Sequence, residues 1–122
     1  MITADAITLI RILVDDPDFV KDAEHARRLA LIAIRVYVPQ LTQIESITIL
    51  EREYNLSKYE ILPALKHLAH NSAFIIENIN TFREAIEVYE LTDSSFADCM
   101  VVTNFSQEQV KEYESDLFPP EK

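Results

Sequence analysis

Three carboxylates in this chain, Asp5, Glu45 and Asp98, stand in apolar surroundings where an ionised side chain is expensive unless something compensates its charge. Asp5 closes a short apolar opening, Met1-Ile2-Thr3-Ala4, just before a helical pattern begins. Glu45 lies in Leu41-Thr42-Gln43-Ile44-Glu45-Ser46-Ile47-Thr48-Ile49-Leu50, where helical spacing puts Leu41 and Thr48 on its own face and predicts a place near the core boundary. Asp98 is flanked by Phe96, Ala97, Cys99, Met100, Val101 and Val102, with only Ser94 and Ser95 nearby as neutral partners. Buried alone, such a group raises its pKa or destabilises the fold. Three of them converging would repel one another unless hard cations bound between them, and Mg²⁺ and Mn²⁺ take oxygen ligands of this kind. Each acid also has a structural reading: Asp5 as the cap of a helix starting at Ala6, Glu45 as an exposed helix residue, Asp98 bonded to a hydroxyl or paired with a distant arginine.

Other chemistry is less well supported. His25, His67 and His70 lack a matching Cys or Asp spacing, and the sole cysteine, Cys99, has no base near it in sequence and suits a place in the core. Glycine is absent altogether, which excludes a Gly-rich phosphate loop and leaves left-handed backbone positions to Asn, with Asn55, Asn71 and Asn104 as the expected stops.

At 122 residues, 48% hydrophobic and 26% charged, the chain is expected to form one core. No stretch approaches the roughly 20 uncharged residues of a spanning helix, and the apolar start lacks a basic flank and carries Asp5, so neither a membrane span nor a secretion signal is expected. One unpartnered cysteine fits a reducing compartment, and the expected location is the cytoplasm. The net charge of −10 argues against holding nucleic acid by general attraction. A phosphate ester would need local attraction, from bound divalent cations or from Arg11, Lys21, Arg27, Arg28 and Arg35, which otherwise read as a solvated helix face.

The elements that must place the acids follow from periodicity. Ile7, Ile10, Leu13 and Val14 recur at helical spacing, and Asp15-Asp16-Pro17-Asp18 breaks the pattern with turn residues. Further helices are expected over 19–34, 40–54, 57–70 (with Pro63 inside), 82–91 and 94–102, two of them opened by capping-box spacing at Ser57/Glu60 and Thr81/Glu84. Val36-Tyr37-Val38 and Phe74-Ile75-Ile76 read as buried strands. The alternation predicts an α/β fold with a parallel sheet flanked by helices on both faces, whose ligands bind beyond the carboxyl ends of the strands, where Asp5 stands. Residues 1–105 form the expected domain and 106–122 a polar acidic tail, with a cap at Ser106 and Gln109.

In order and context these segments resemble a PIN domain of the bacterial VapC toxin type. Met1-Ile2-Thr3-Ala4-Asp5 with Leu9-Ile10-Arg11-Ile12-Leu13 resembles the family's first strand, catalytic aspartate and first helix. Val36-Tyr37-Val38-Pro39 through Ile44-Glu45 to Leu50-Glu51, continued by Tyr54-Asn55-Leu56-Ser57, resembles the second strand and the helix bearing its glutamate, and Phe96-Ala97-Asp98-Cys99 the motif of its next aspartate. The resemblance implies dimerisation, Mg²⁺- or Mn²⁺-dependent cleavage of RNA with Asp5, Glu45 and Asp98 as metal ligands, and restraint by a small antitoxin. Two departures bear on activity. Ala6 and Ile7 replace the Thr or Ser and the Asn usual after the first aspartate, and Tyr113-Glu114-Ser115-Asp116 lacks the apolar strand that precedes the family's last acid, so the sheet is expected to hold fewer strands. The alternative expectation is a catalytically degenerate PIN scaffold acting as a protein-interaction module.

Overall fold

The computed structural model describes residues 1–33 and 35–104. Three short strands, β1 (Ile2–Thr3), β2 (Val36–Val38) and β3 (Phe74–Ile76), pair in parallel in the order β1-β2-β3, with Ile2 opposite Val36 and Val36 opposite Phe74. Parallel neighbours need long crossovers, and helices supply them. Between β1 and β2 run α1 (Ala6–Leu13), a 3-10 turn (Pro17–Phe19) and α2 (Val20–Ala33); between β2 and β3 run α3 (Gln40–Arg52) and α4 (Lys58–His70). Two helices follow β3: α5 (Ile79–Leu91) and α6, residues 96–104, which reaches the end of the described stretch. The fold is therefore α/β with a parallel sheet, as the alternation predicts. The tail, including Ser106, Gln109 and Asp116, lies outside the described residues.

The helices form where apolar residues return every third or fourth position. Ala6, Leu9 and Ile10 bury one face of α1, which packs against α2 and α3. Ala23 and Ala26 give α2 a small-residue inner face, while Leu31 and Ile32 near its end are exposed. Phe82, Tyr89 and Phe96 meet edge to face, with centroids 5.8 and 5.7 Å apart, joining α5 to α6 in the deepest part of the core.

With no glycine, turns rest on side-chain hydrogen bonds. Asp16 accepts from the Asp18 amide and starts the 3-10 turn, and Asn55 takes the left-handed conformation expected of it (φ 54°). Asn71 ends α4 by a different route: its backbone is extended at φ −89°, and its side chain accepts from the Ala73 amide, an Asx turn that replaces the left-handed stop. The expected start of α5 is also corrected. The left-handed residue is Asn78 (φ 53°), so the helix opens at Ile79 directly after the sheet, and Thr81 lies inside it, buried.

Ser57 and Glu60 make the capping box their spacing predicts: the Ser57 hydroxyl accepts from the Glu60 amide at 3.3 Å, and the Glu60 carboxylate from the Ser57 amide at 3.1 Å. Ser57→Ala should lower the unfolding free energy by about 1 kcal/mol. Urea denaturation followed by far-UV circular dichroism measures this, and an unchanged midpoint would show that the cap adds nothing.

Candidate functional site

Asp5 follows β1 at the carboxyl edge of the sheet and is the N-cap of α1. Its Oδ1 accepts from the Thr8 amide at 2.8 Å. That bond, and then one from the Thr8 side chain, holds the carboxyl below its ordinary value against a small opposing effect of burial. The side chain is exposed and ionised, and a negative charge there suits the positive end of the helix dipole. The capping reading is therefore realised.

Glu45 and Asp98 are both exposed, which corrects the expectation of apolar embedding. On α3 the inward face is Thr42, Gln43, Ser46, Ile47 and Leu50, and Glu45 falls outside it. On α6 the buried residues are Phe96, Cys99, Met100 and Thr103, and Asp98 shares the outer side with Val101 and Val102. Asp98 occupies the first turn of its helix, where its amide donates to Ser95 Oγ at 3.2 Å. Among the described residues none of the three acids forms an ion pair, and no three His, Cys, Asp or Glu side chains come together as a metal-holding group. Their chemistry suits Mg²⁺ or Mn²⁺; their arrangement does not assemble a ready site for one.

What the fold does bring together is the helix between them. Thr42 Oγ1 donates to the Ala4 carbonyl at 2.8 Å, fastening α3 to the residue before Asp5, and Glu45 follows Thr42 by one turn. Farther along α3, Glu51 Oε2 accepts from the Tyr89 hydroxyl and from the Phe96 amide, both at 3.2 Å, so the same helix grips the start of α6. An open cleft of about 360 Å³ borders Glu51, Lys58, Tyr89 and Ser95.

Sequence reasoning missed a polar cluster at the ends of β2 and β3. Glu77 accepts from the Tyr37 hydroxyl at 2.7 Å and the Gln40 amide at 3.0 Å, while Gln43 Nε2 donates to the carbonyls of Val38 and Glu77. The Tyr37 bond, then that of Gln40, holds the Glu77 carboxyl below its usual value, and the same bond lifts the Tyr37 phenol. The available signal was a carboxylate directly after an apolar strand, the pattern already noted at Asp5.

The remaining candidates are structural or exposed. Arg11 donates to the Tyr54 hydroxyl at 2.8 Å and stacks 3.7 Å from the Phe19 ring centroid, and Arg27 pairs with Asp15 at 2.7 Å and bonds the Ile12 carbonyl. Lys21, Arg28 and Arg35 are exposed. Cys99 is buried, which pushes its thiol pKa up. No helix among the described residues is long and apolar enough to cross a membrane. The chain matches no family model, no curated protein and no solved structure.

Asp5→Ala should cost about 1 kcal/mol of stability at neutral pH and Asp5→Asn less, because asparagine also caps. Since the folded carboxyl titrates below its ordinary value of 3.8, the advantage of aspartate over asparagine is complete above that value and disappears as pH falls through the lower folded one. Thermal denaturation across acid pH reads this; a gap persisting into strong acid would rule out the charged cap.

Proposed function

We propose that this chain is a VapC-like PIN-domain protein: a Mg²⁺- or Mn²⁺-dependent endoribonuclease, cytoplasmic and homodimeric, paired with a small antitoxin, with its sheet covered by helices on both faces. The observation that carries this reading is the placement of α3. Through Thr42 it is held to the end of β1 beside Asp5, through Glu51 to the helix of Asp98, and between the two it bears Glu45. Ligands of parallel α/β sheets lie beyond the carboxyl ends of the strands, and all three carboxylates are free of competing cations among the described residues. A bound divalent ion would supply a polarised phosphate and an activated water. The chain's own contribution is to keep Asp5 ionised and to hold α3, with Glu45 on it, between the segments bearing Asp5 and Asp98.

A second reading is a PIN scaffold that binds a partner without catalysis. The unassembled acids favour it, as do Ala6 and Ile7 in place of the polar residues that would orient a metal ligand.

Purified protein incubated with RNA and Mn²⁺ separates the two. The nuclease reading expects cleavage that chelation stops and that Asp5→Asn, Glu45→Gln or Asp98→Asn each reduces on the order of 100-fold, as deleting one group that stabilises developing charge does elsewhere. Intact RNA with the wild-type protein, or cleavage indifferent to all three substitutions, would sink it and leave the interaction module.

A further inference from the structure

Glu51 is the residue that the proposed chemistry leaves unused and the fold does not. It is half-buried on α3, and one of its oxygens receives two donors from different elements: the Tyr89 hydroxyl of α5 and the Phe96 amide that opens α6. The first turn of a helix has amides without internal partners. In α6 one of them is met by Ser95, a local residue, and one by Glu51, forty-five positions away. Among the described residues the Glu51 bond is the only hydrogen bond from α6 to α3. Tyr89 is itself 2% exposed and packed between the Phe96 ring and Lys58, whose ammonium stands 4.8 Å from the Tyr89 centroid, so one of the two donors to Glu51 is itself fixed in the core.

We propose that Glu51 is a positioning residue, which fixes where Asp98 stands relative to Glu45 by gripping the first amide of the Asp98 helix from the helix that carries Glu45. The inference rests on the nuclease reading for its consequence in catalysis, but the grip itself is a property of the fold. The buried stripe of Phe96, Cys99, Met100 and Thr103 sets which side of α6 faces the core, and the bond from its first amide to Glu51 fixes where the helix starts against α3. Asp98 lies two residues beyond that amide, so any shift in the start of α6 is passed to its carboxylate almost undiminished.

The test uses the full chain with three substitutions, Glu51→Ala, Glu51→Gln and Tyr89→Phe, and two readouts: amide hydrogen exchange across residues 96–104 and the Mn²⁺ concentration giving half-maximal RNA cleavage. Glu51→Ala is expected to speed exchange in the first turn of α6 and to raise the Mn²⁺ requirement about tenfold, in line with the loss of groups that orient metal ligands. Glu51→Gln keeps an acceptor for both donors and should restore both readouts to within about threefold of wild type. Tyr89→Phe removes one donor but leaves the Phe96 bond, and should leave the Mn²⁺ requirement unchanged, which a general loosening of the core would not. Should Glu51→Ala fail to fold, Glu51→Asp, one methylene too short to keep the bond to the Phe96 amide, takes its place with the same expected rise and faster exchange, and unchanged readouts there overturn positioning. Wild-type protein that leaves RNA intact overturns the nuclease reading alone, since exchange still reports the grip. Unchanged exchange in Glu51→Ala overturns the inference whatever the RNA does.

Discussion

A hydroxyl on a carbonyl, Thr42 Oγ1 on Ala4 O at 2.8 Å, determines how α3 meets the sheet. Both groups are buried, and an unpaired carbonyl at the end of β1 would cost on the order of 1–3 kcal/mol, so the helix cannot slide without exposing or orphaning it. Gln43, one residue on, makes the same kind of bond to the ends of β2 and β3 through Val38 and Glu77. The N-terminal turn of α3 is thereby stitched to all three strand ends. The chemistry available at the carboxyl edge of the sheet, whether Asp5 or the Glu77 cluster, is arranged around that one turn.

The chain's lack of glycine shapes the same edge. Strand-to-helix junctions elsewhere use glycine to turn sharply; here Asn78 takes the left-handed conformation before α5, Asp5 caps α1, and the Glu77 carboxylate accepts from the first amide of α3. This makes an acid at such a junction intrinsically double in meaning. A carboxylate placed to accept from a helix amide is also placed at the positive end of a helix dipole, beyond a parallel strand, where an incoming cation or phosphate would meet it.

That doubleness explains what could be read from the residues alone. The strands Val36–Val38 and Phe74–Ile76, the Ser57/Glu60 box and the Asp16 turn were legible because each depends on a few consecutive residues with strong local preferences. The exposure of Asp98 was misjudged by composition, yet period analysis contains it: Phe96, Cys99, Met100 and Thr103 trace one helical stripe, and Asp98 lies off it. Glu45 was displaced from the core for the same reason, because the inward stripe of α3 includes polar Thr42, Gln43 and Ser46 and is invisible to a search for apolar residues. Their partners, a strand-end carbonyl and Glu77, lie far away in sequence. Glu51 was hidden twice over, as an acid in an ordinary helix whose two donors come from segments thirty-eight and forty-five residues later.

Capping and metal ligation at Asp5 need not exclude each other. A carboxylate offers about four lone-pair sites on two oxygens, and Thr8, through its amide on Oδ1 and through its side chain, takes at most two of them. The cap also keeps the group ionised, which is the form a cation requires, and fixes its backbone at the edge of the sheet. Neither Glu45 nor Asp98 is held so firmly, since both are exposed and make no side-chain hydrogen bond or ion pair among the described residues. On the proposed nuclease reading, a divalent ion arriving at Asp5 would therefore find one fixed ligand and two adjustable ones. Its affinity would be set by how little the segments bearing Glu45 and Asp98 must move, and hence by the bonds that seat α3 against the sheet and α6 against α3.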